Sequence, residues 1–457
     1  MKTARTYGDH LPSAMALSVG AALWIAACGG GGVTDGNLDP GTKPDTTTNP
    51  GGPPTVQRAS ITAQVRVDAS DAALASAVGL TTGGLTVRLA RSGSSEASRF
   101  GVTDPTGRVT FDALLEGSYQ VTVERRLSDT EAARLPTGEQ DATLFAAGAQ
   151  HSLVPPGNQL ADLALVATRR GSVVFSELFV MNTEAGTNLG YGFGTYVEVY
   201  NNSDTTVYLD GMLLARTPLP LHYGFSQYPC DQVNTAVRLD STGIAVSLIH
   251  GFPGSGREFP IRAGEAKVIA VDAMDHHAAS PTTGQLDLSQ AHFEQYGSDA
   301  DIDNPFVPDM VRVLAGTGAF GRGYPNANTP QAYVLALPTA FATLRPVRMT
   351  LTTGADGGGG SFEAYMIPRE RIVDVLGLDS TPAEIALSVQ RGVLRCNPWL
   401  SPVFERSQAN MADFRLRKAI SRKSLGHTAD GREILQRTRT SARDFEYAEP
   451  LKRSLQK

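Results

Sequence analysis

At 457 residues with 41% hydrophobic side chains, the chain is too long for one ordinary core and predicts two or three domains. Its 47 glycines and 27 prolines, against 19% charged residues, predict a turn-rich chain and exclude a helical bundle. A net charge of −6 excludes a surface that binds nucleic acid as a whole, although residues 411–457 hold 12 Lys/Arg and 6 Asp/Glu, making this tail +6 and the rest −12.

At the N-terminus, Lys2 and Arg5 precede the apolar stretch "AMALSVGAALWIAA", which ends in small residues before Cys28. A basic start, a short apolar middle and a small-residue exit are the layout of a secretory signal, so residues 1–27 are expected to be removed. Ser and Gly break the stretch, which is too short to span a bilayer comfortably. "IAAC" resembles a bacterial lipobox, in which cleavage falls before the Cys and its thiol carries diacylglycerol. That makes Cys28 the expected lipidation site; the alternative is an uncleaved anchor or a soluble exported protein. Each buried acyl methylene contributes about 0.8 kcal/mol, so several chains hold a protein firmly on a membrane. Gly29 stands where an Asp would direct retention in the inner membrane of some bacteria, which leaves outer-membrane display open. Residues 29–56 have almost no apolar side chains and, with Cys28, read as a disordered tether over 28–56, roughly 30 Å end to end.

Residues 57–167 predict a small β-sandwich. "ASITAQVRV" alternates Ile61, Ala63, Val65 and Val67; "LTVRLA", "SYQVTVER" and "LADLALVA" repeat the period of two. Asp104-Pro105-Thr106-Gly107 and Glu116-Gly117 mark turns, and "SDTEAARL" (128–135) predicts a short helix. The pattern TD-x-x-G-x-x-x-F-x-x-L-x-x-G-x-Y resembles prealbumin-like, carboxypeptidase regulatory-like domains, which implies a scaffold and no activity.

A larger β-rich unit follows over 171–447. "GSVVFSELFVMN", "GTYVEVYNNSD" and "TTVYLDGMLLART" predict three strands, with Asn201-Asn202-Ser203-Asp204 as a hairpin turn formed by side-chain to backbone bonds. Further strands are expected at "IAVSLIH", "AKVIAVDA", "AYVLALP" and "VRMTLTT". A helix is expected from Pro368 through "PRERIVDVLGL", with Ile372, Val373 and Leu376 on one face. The stretch E-L…Y-V-E-V-Y-N-N-S-D-x-x-V-x-L-D-G-x-x-L resembles the lamin-tail domain, an immunoglobulin-like sandwich whose hallmark positions fall here on Glu198, Tyr200–Asp204 and Leu209–Gly211. With "FPIRAGEAKVIAVDAMDH", "DADIDNPFVPDM", "IPRERIVDVLGL" and "SLGHTADGREILQRTRTSARDFE", the unit resembles domain-of-unknown-function family 4876. That resemblance implies secreted lipoproteins with a lamin-tail-like core, and brings no catalytic residues or ligand. Residues 448–457 form a C-terminal tail. The expected fold is therefore mainly β: an N-terminal prealbumin-like or immunoglobulin-like sandwich, then a lamin-tail-like sandwich with insertions and a few short helices.

Two clusters carry candidate chemistry. Asp299, Asp301 and Asp303 alternate as in calcium loops, but Asn304 and Met310 stand where an EF-hand needs Gly and Glu, so a solvated acidic turn before Pro305 is preferred to Ca2+. Asp272, Asp275, His276 and His277 lack zinc-ligand spacing and read as a polar loop. Convergence of Asp272, Asp275 or His276 with Asp299–Asp303 would be the best metal arrangement. Cys230 and Cys396 are an even pair for a disulfide in an oxidising compartment; the alternative is two separately buried thiols. The basic tail, including Arg422, Lys423, Arg432, Arg437 and Arg439, has acids interspersed and predicts a solvated face. No nucleophile elbow, phosphate loop or dinucleotide fingerprint is present.

The sequence therefore predicts a non-catalytic binding or structural module of the cell envelope, held through its lipid on the membrane, probing an envelope protein or glycan rather than nucleic acid. The alternatives are a metal-dependent hydrolase of surface polysaccharide or nucleic acid and an accessory subunit of an outer-membrane complex.

Overall fold

The computed structural model of the chain describes residues 57–454, apart from 137–143, 169–172, 181–193, 219–239, 280–285, 296–302, 315–330, 352–359, 380, 391–399, 413–416 and 429–430. Cys28, Cys230, Cys396, Asp299 and Asp301 lie outside the described residues. Val56–Lys457 form one compact unit, and the architecture is mainly β, with several sheets and a few short helices.

The first sheet has seven strands, in the spatial order Arg99–Val102, Thr86–Arg91, Gly117–Arg126, Leu144–Leu153, Asn158–Thr168, Ala59–Val67 and Arg108–Leu114. Strand Ala59–Val67 runs parallel to Asn158–Thr168, and its alternating Ile61, Ala63 and Val65 point into the core. The two end strands meet by packing: a Cβ placed on Gly101 would lie 2.6 Å from Val109 and 3.4 Å from Phe111. The sheet thus curls onto itself around one core, into which its period-two patterning directs the apolar face.

Local chemistry sets its turns. Asp104 Oδ1 accepts from the Thr106 amide at 2.8 Å and the Arg108 amide at 3.0 Å. Gly107 sits at φ +80°, where a Cβ would be 2.4 Å from the Val65 carbonyl, so only glycine fits. Buried Tyr119 donates to the Leu115 carbonyl at 2.9 Å. The short helix Asp129–Ala132 starts at Ser128 with a reciprocal capping box to Glu131.

The second half is a sandwich of two six-stranded sheets with a further three-stranded sheet on one outer face. In one sheet the order is Phe293–Glu294, Ala266–Ala270, Tyr196–Asn201, Val173–Phe179, Ala419–Arg422, Phe445–Ala448. The other runs Val311–Leu314, Leu248–Gly251, Leu213–Arg216, Gln331–Ala336, Ile372–Asp379, Ala409–Asn410. Phe175, Val197, Val199, Ile269 and Ile420 from the first sheet meet Leu214, Tyr333, Leu335, Leu376 and Leu378 from the second. The back of the second sheet buries Leu213, Ile249 and Val334 against Ile244, Val246 and Ile367 of the three-stranded sheet.

Two expectations are corrected here. The stretch after Pro368 is a one-turn 3-10 helix, Arg369–Arg371, followed by the strand Ile372–Asp379. Both of its faces are buried, and Asp374, Leu376 and Leu378 alternate as a strand requires, which overrides the helical reading of Pro368. The "NNSD" knot does reverse the chain, but the strands beside it do not pair as a hairpin. Tyr196–Asn201 pairs with Val173–Phe179 and Ala266–Ala270, whereas Val207–Tyr208 pairs with Pro260–Ile261. Asn201 directs this divergence: its Nδ2 donates to the carbonyls of Thr205 and Ile261, each at 2.8 Å.

The two halves are clamped together. Thr168 Oγ1 donates to the Arg437 carbonyl at 3.0 Å and accepts the Arg437 amide at 2.9 Å. Arg443 pairs with Asp68 at 3.0 Å and Asp71 at 3.1 Å. Leu144, Ala146 and Val166 of the first sheet pack on Leu425 and Ile434 of a hairpin in the second half.

Candidate functional site

Three sets of charged groups stand out among the described residues of the second half. The first is a carboxylate pair on the outer face of the sheet that holds Val173–Phe179. A β-bulge makes Ser176 the extra residue and places Glu177 directly opposite Glu198 on the neighbouring strand. Both are fully buried. Tyr196 donates to Glu177, and Ser176 donates to Glu198 at 2.7 Å. The C-terminal segment closes the set: the Leu451 amide donates to Glu177 at 2.6 Å and the Ser454 hydroxyl to Glu198. Arg453 donates to Ser421 at 2.7 Å and pairs with Glu433 at 2.6 Å. Burial, then the charge of Glu177, pushes Glu198 up to about 7; burial also raises Glu177. A like charge on the opposite strand favours the neutral form of a buried acid.

The second set is built on Arg422, which is 1% exposed. Its guanidinium donates to the Phe175 carbonyl at 2.6 Å, to Asp374 at 2.7 Å and to Asp444 at 3.2 Å, and lies 4.5 Å from the centroid of the Phe445 ring. Arg437 reaches the other oxygen of Asp374 at 2.7 Å. The expectation that the basic tail is a solvated face is therefore overturned for Arg422 and Arg437: both are buried because Asp374 and Asp444 offer charge and geometry to match their planar donors. Lys423 and Arg432 stay closer to the surface; Arg432 bonds the Ser203 carbonyl at 2.7 Å and Asp204 at 2.9 Å, which pins the "NNSD" turn.

The third set is open to solvent and is the one arrangement among the described residues whose carboxylates could hold a metal. Carboxylate oxygens of Glu294, Asp303 and Asp309 lie within 4.8 Å of one another. Strand position buries Glu294, and its side chain accepts the Ala273 amide at 2.6 Å. The loop that brings the two aspartates is fixed at Asn304, whose Nδ2 donates to the carbonyls of Ala273 at 2.7 Å and Ser289 at 3.1 Å. Val307 anchors the same loop in the core, while Phe306 projects 92% exposed. Burial and then the nearby charge of Asp303 raise the Asp309 carboxyl. Three hard oxygen donors, two on the loop anchored at Asn304 and Val307 and one on a strand, suit Ca2+ better than zinc.

The candidates read from sequence are placed as follows. Asp303 joins the acidic set; Asp272, Asp275 and His276 lie on the adjoining loop and outside it. His276 is fully buried, and its Nε2 donates to the Asp272 carbonyl at 2.9 Å. Burial lowers its imidazole, which is thus neutral and holds the loop in shape. Asp275 accepts the His277 amide at 3.0 Å. Sequence reasoning missed Glu294 and Asp309, whose one signal was their acidity on either side of the "DADID" run.

Residues 262–451 match the family described as protein of unknown function (DUF4876). No curated protein matches the chain. Among solved structures, the chain is similar to a DUF4876 family protein from Bacteroides thetaiotaomicron, at 18% identity over 85% of this chain and 94% of that one, with a TM-score of 0.45. It is also similar to a DUF3823 family protein from Parabacteroides merdae, at 8% identity over 70% of this chain and 98% of that one, with a TM-score of 0.16.

Proposed function

We propose that the chain is a lipid-anchored module of the cell envelope, acylated at Cys28 and carried on the polar segment 29–56, that binds or scaffolds and does no chemistry of its own. In this reading residues 57–167 are a prealbumin-like domain, 171–447 a domain with a lamin-tail-like core, and the anchor faces the outer membrane. The observation that carries it is where the buried, upward-shifted acids sit. Glu177, Glu198 and Glu405 are sealed inside and hydrogen-bonded, so they join sheets and segments into one body rather than facing a cleft. A rigid sandwich presents its loops, and loops on a scaffold are where recognition resides.

The test is cell fractionation of full-length protein with Cys28→Ser. The wild type is expected in the membrane fraction and the variant in the soluble one; a variant that stays with the membrane defeats the anchor. Affinity capture from detergent-solubilised envelope, with and without chelator, then asks for a saturable partner. Convergence of Glu294, Asp303 and Asp309 supports a second reading, in which a hard cation conditions that recognition surface; capture lost with chelator is its expected outcome.

A further inference from the structure

Both six-stranded sheets end on the same side of the sandwich, one at Ala409–Asn410 and the other at Phe445–Ala448. Between these edges lies a cleft of about 460 Å3, whose walls include Asp379, Gln408, Asn410, Glu446 and the rings of Phe445 and Tyr447. Tyr447 is 45% exposed, and its hydroxyl donates to the Met411 carbonyl at 3.3 Å, which holds the ring in one orientation with a wet face. Gln408 Nε2 is buried and has no hydrogen-bond partner among the described residues. Among the described residues Glu446 makes a loose exposed pairing, 3.9 Å from Lys452.

We infer that this cleft binds an uncharged glycan, an inference that rests on the reading of the chain as an envelope binding module and names its ligand class. A sugar ring presents an apolar C–H face, which packs on a fixed aromatic ring, and a rim of hydroxyls that both donate and accept. Carboxylates accept and amides do both, so Glu446 and Asn410 at the exposed edge match that rim, with Asp379 lining the cleft behind them. The two carboxylates repel uronic acids and phosphorylated sugars. The volume lies in the range of roughly 300–1,000 Å3 usual for small-ligand clefts and accommodates a disaccharide.

The experiment titrates the full chain, purified in a detergent without a sugar headgroup, with maltose, cellobiose, diacetylchitobiose and the anionic digalacturonate. Binding is read by calorimetry and saturation-transfer NMR. At least one neutral disaccharide is expected to saturate and digalacturonate to fail. Tyr447→Ala is expected to weaken binding about tenfold, and Tyr447→Phe, which keeps the ring, by no more than about threefold. Asn410→Ala, at an exposed position, gives an independent loss if Tyr447→Ala folds poorly. No saturable neutral sugar, preference for digalacturonate, or unchanged affinity in both Tyr447→Ala and Asn410→Ala overturns the site. A protein partner captured from envelope without any sugar binding would sink the glycan site alone; sugar binding by a protein that fractionates as soluble would sink the envelope reading alone.

Discussion

Replacing Glu405 by Gln should remove most of one steep alkaline loss of stability. Glu405 is fully buried and accepts the Ser441 amide at 2.9 Å, the Ser407 amide at 3.1 Å and the Ser441 hydroxyl, which itself accepts the Gly377 amide at 3.0 Å. Burial dominates these bonds and pushes the carboxyl from its ordinary 4.5 up to about 8. Between those values the folded protein holds a proton that the unfolded chain has released. Stability from this group is therefore fully present below about pH 4.5 and is lost as pH rises through about 8. At about 1.4 kcal/mol per tenfold, the whole span is on the order of 5 kcal/mol, with about 3 kcal/mol of it between pH 5 and pH 8. Gln copies the shape and donor of the neutral acid and does not titrate. Urea unfolding of both proteins at pH 5, 6, 7 and 8 gives the stability difference, in which the titration of Glu198 cancels. The variant should gain about 3 kcal/mol on the wild type across that range. A difference flat to within about 1 kcal/mol would show that Glu405 is already ionised in the fold at pH 5, and the burial argument would fail.

Three other perturbations have defined outcomes. Arg422→Met leaves Asp374 with Arg437 alone and Asp444 with its Thr438 and Gln436 bonds but no guanidinium, and should cost about 3–5 kcal/mol in urea unfolding; a loss under about 1 kcal/mol would mean those remaining partners suffice or the carboxylates protonate cheaply. Gly148→Ala sets a Cβ 2.1 Å from the Leu425 carbonyl, where the first sheet meets the hairpin, and should lower stability by about 2–3 kcal/mol and open residues 424–435 to limited proteolysis. An unchanged digestion pattern would refute the close approach. If Glu294, Asp303 and Asp309 take Ca2+ with a Kd near 100 μM, 10 mM Ca2+ should stabilise the wild type by about 2.7 kcal/mol. Asp309→Asn should abolish that gain while raising the melting temperature without calcium, because it removes a like charge; no calcium-dependent shift in the wild type excludes the cation.

How far the sequence foretold this depended on how many faces each strand buries. Ala59–Val67 buries one face, so Ile61, Ala63 and Val65 stand out, and the turn residues Asp104 and Gly107 act within a few residues of themselves. Val173–Phe179 and Tyr196–Asn201 are buried at every position, which erases the alternation but leaves β-branched and aromatic runs still legible as strands. Ile372–Asp379 is misread because burial on both faces also satisfies a helical stripe, and Pro368 then tips the choice towards a helix.

The charged residues were harder, for a physical reason. Whether an arginine is solvated depends on partners that local spacing does not reveal: Arg437 meets Asp374 across 63 residues, and Leu451 meets Glu177 across 274. A tail counted as +6 from composition includes, at Arg422 and Arg437, buried guanidiniums matched to Asp374 and Asp444, and at Arg453 a guanidinium that closes the outer face against Glu433. Each carboxylate they meet is costly to bury alone, so the register that brings all of them together is strongly selected over a slipped one. The Ser176 bulge shows the same logic at one residue: shifting it would turn Glu177 away from Glu198, Tyr196 and the Leu451 amide at once. The buried polar residues Glu177, Glu198, Asp374 and Arg422 are thus the ones that fix how the sheets meet, and among the described residues the loop of Asp303 and Asp309 and the cleft beside Tyr447 are the surfaces we propose for recognition.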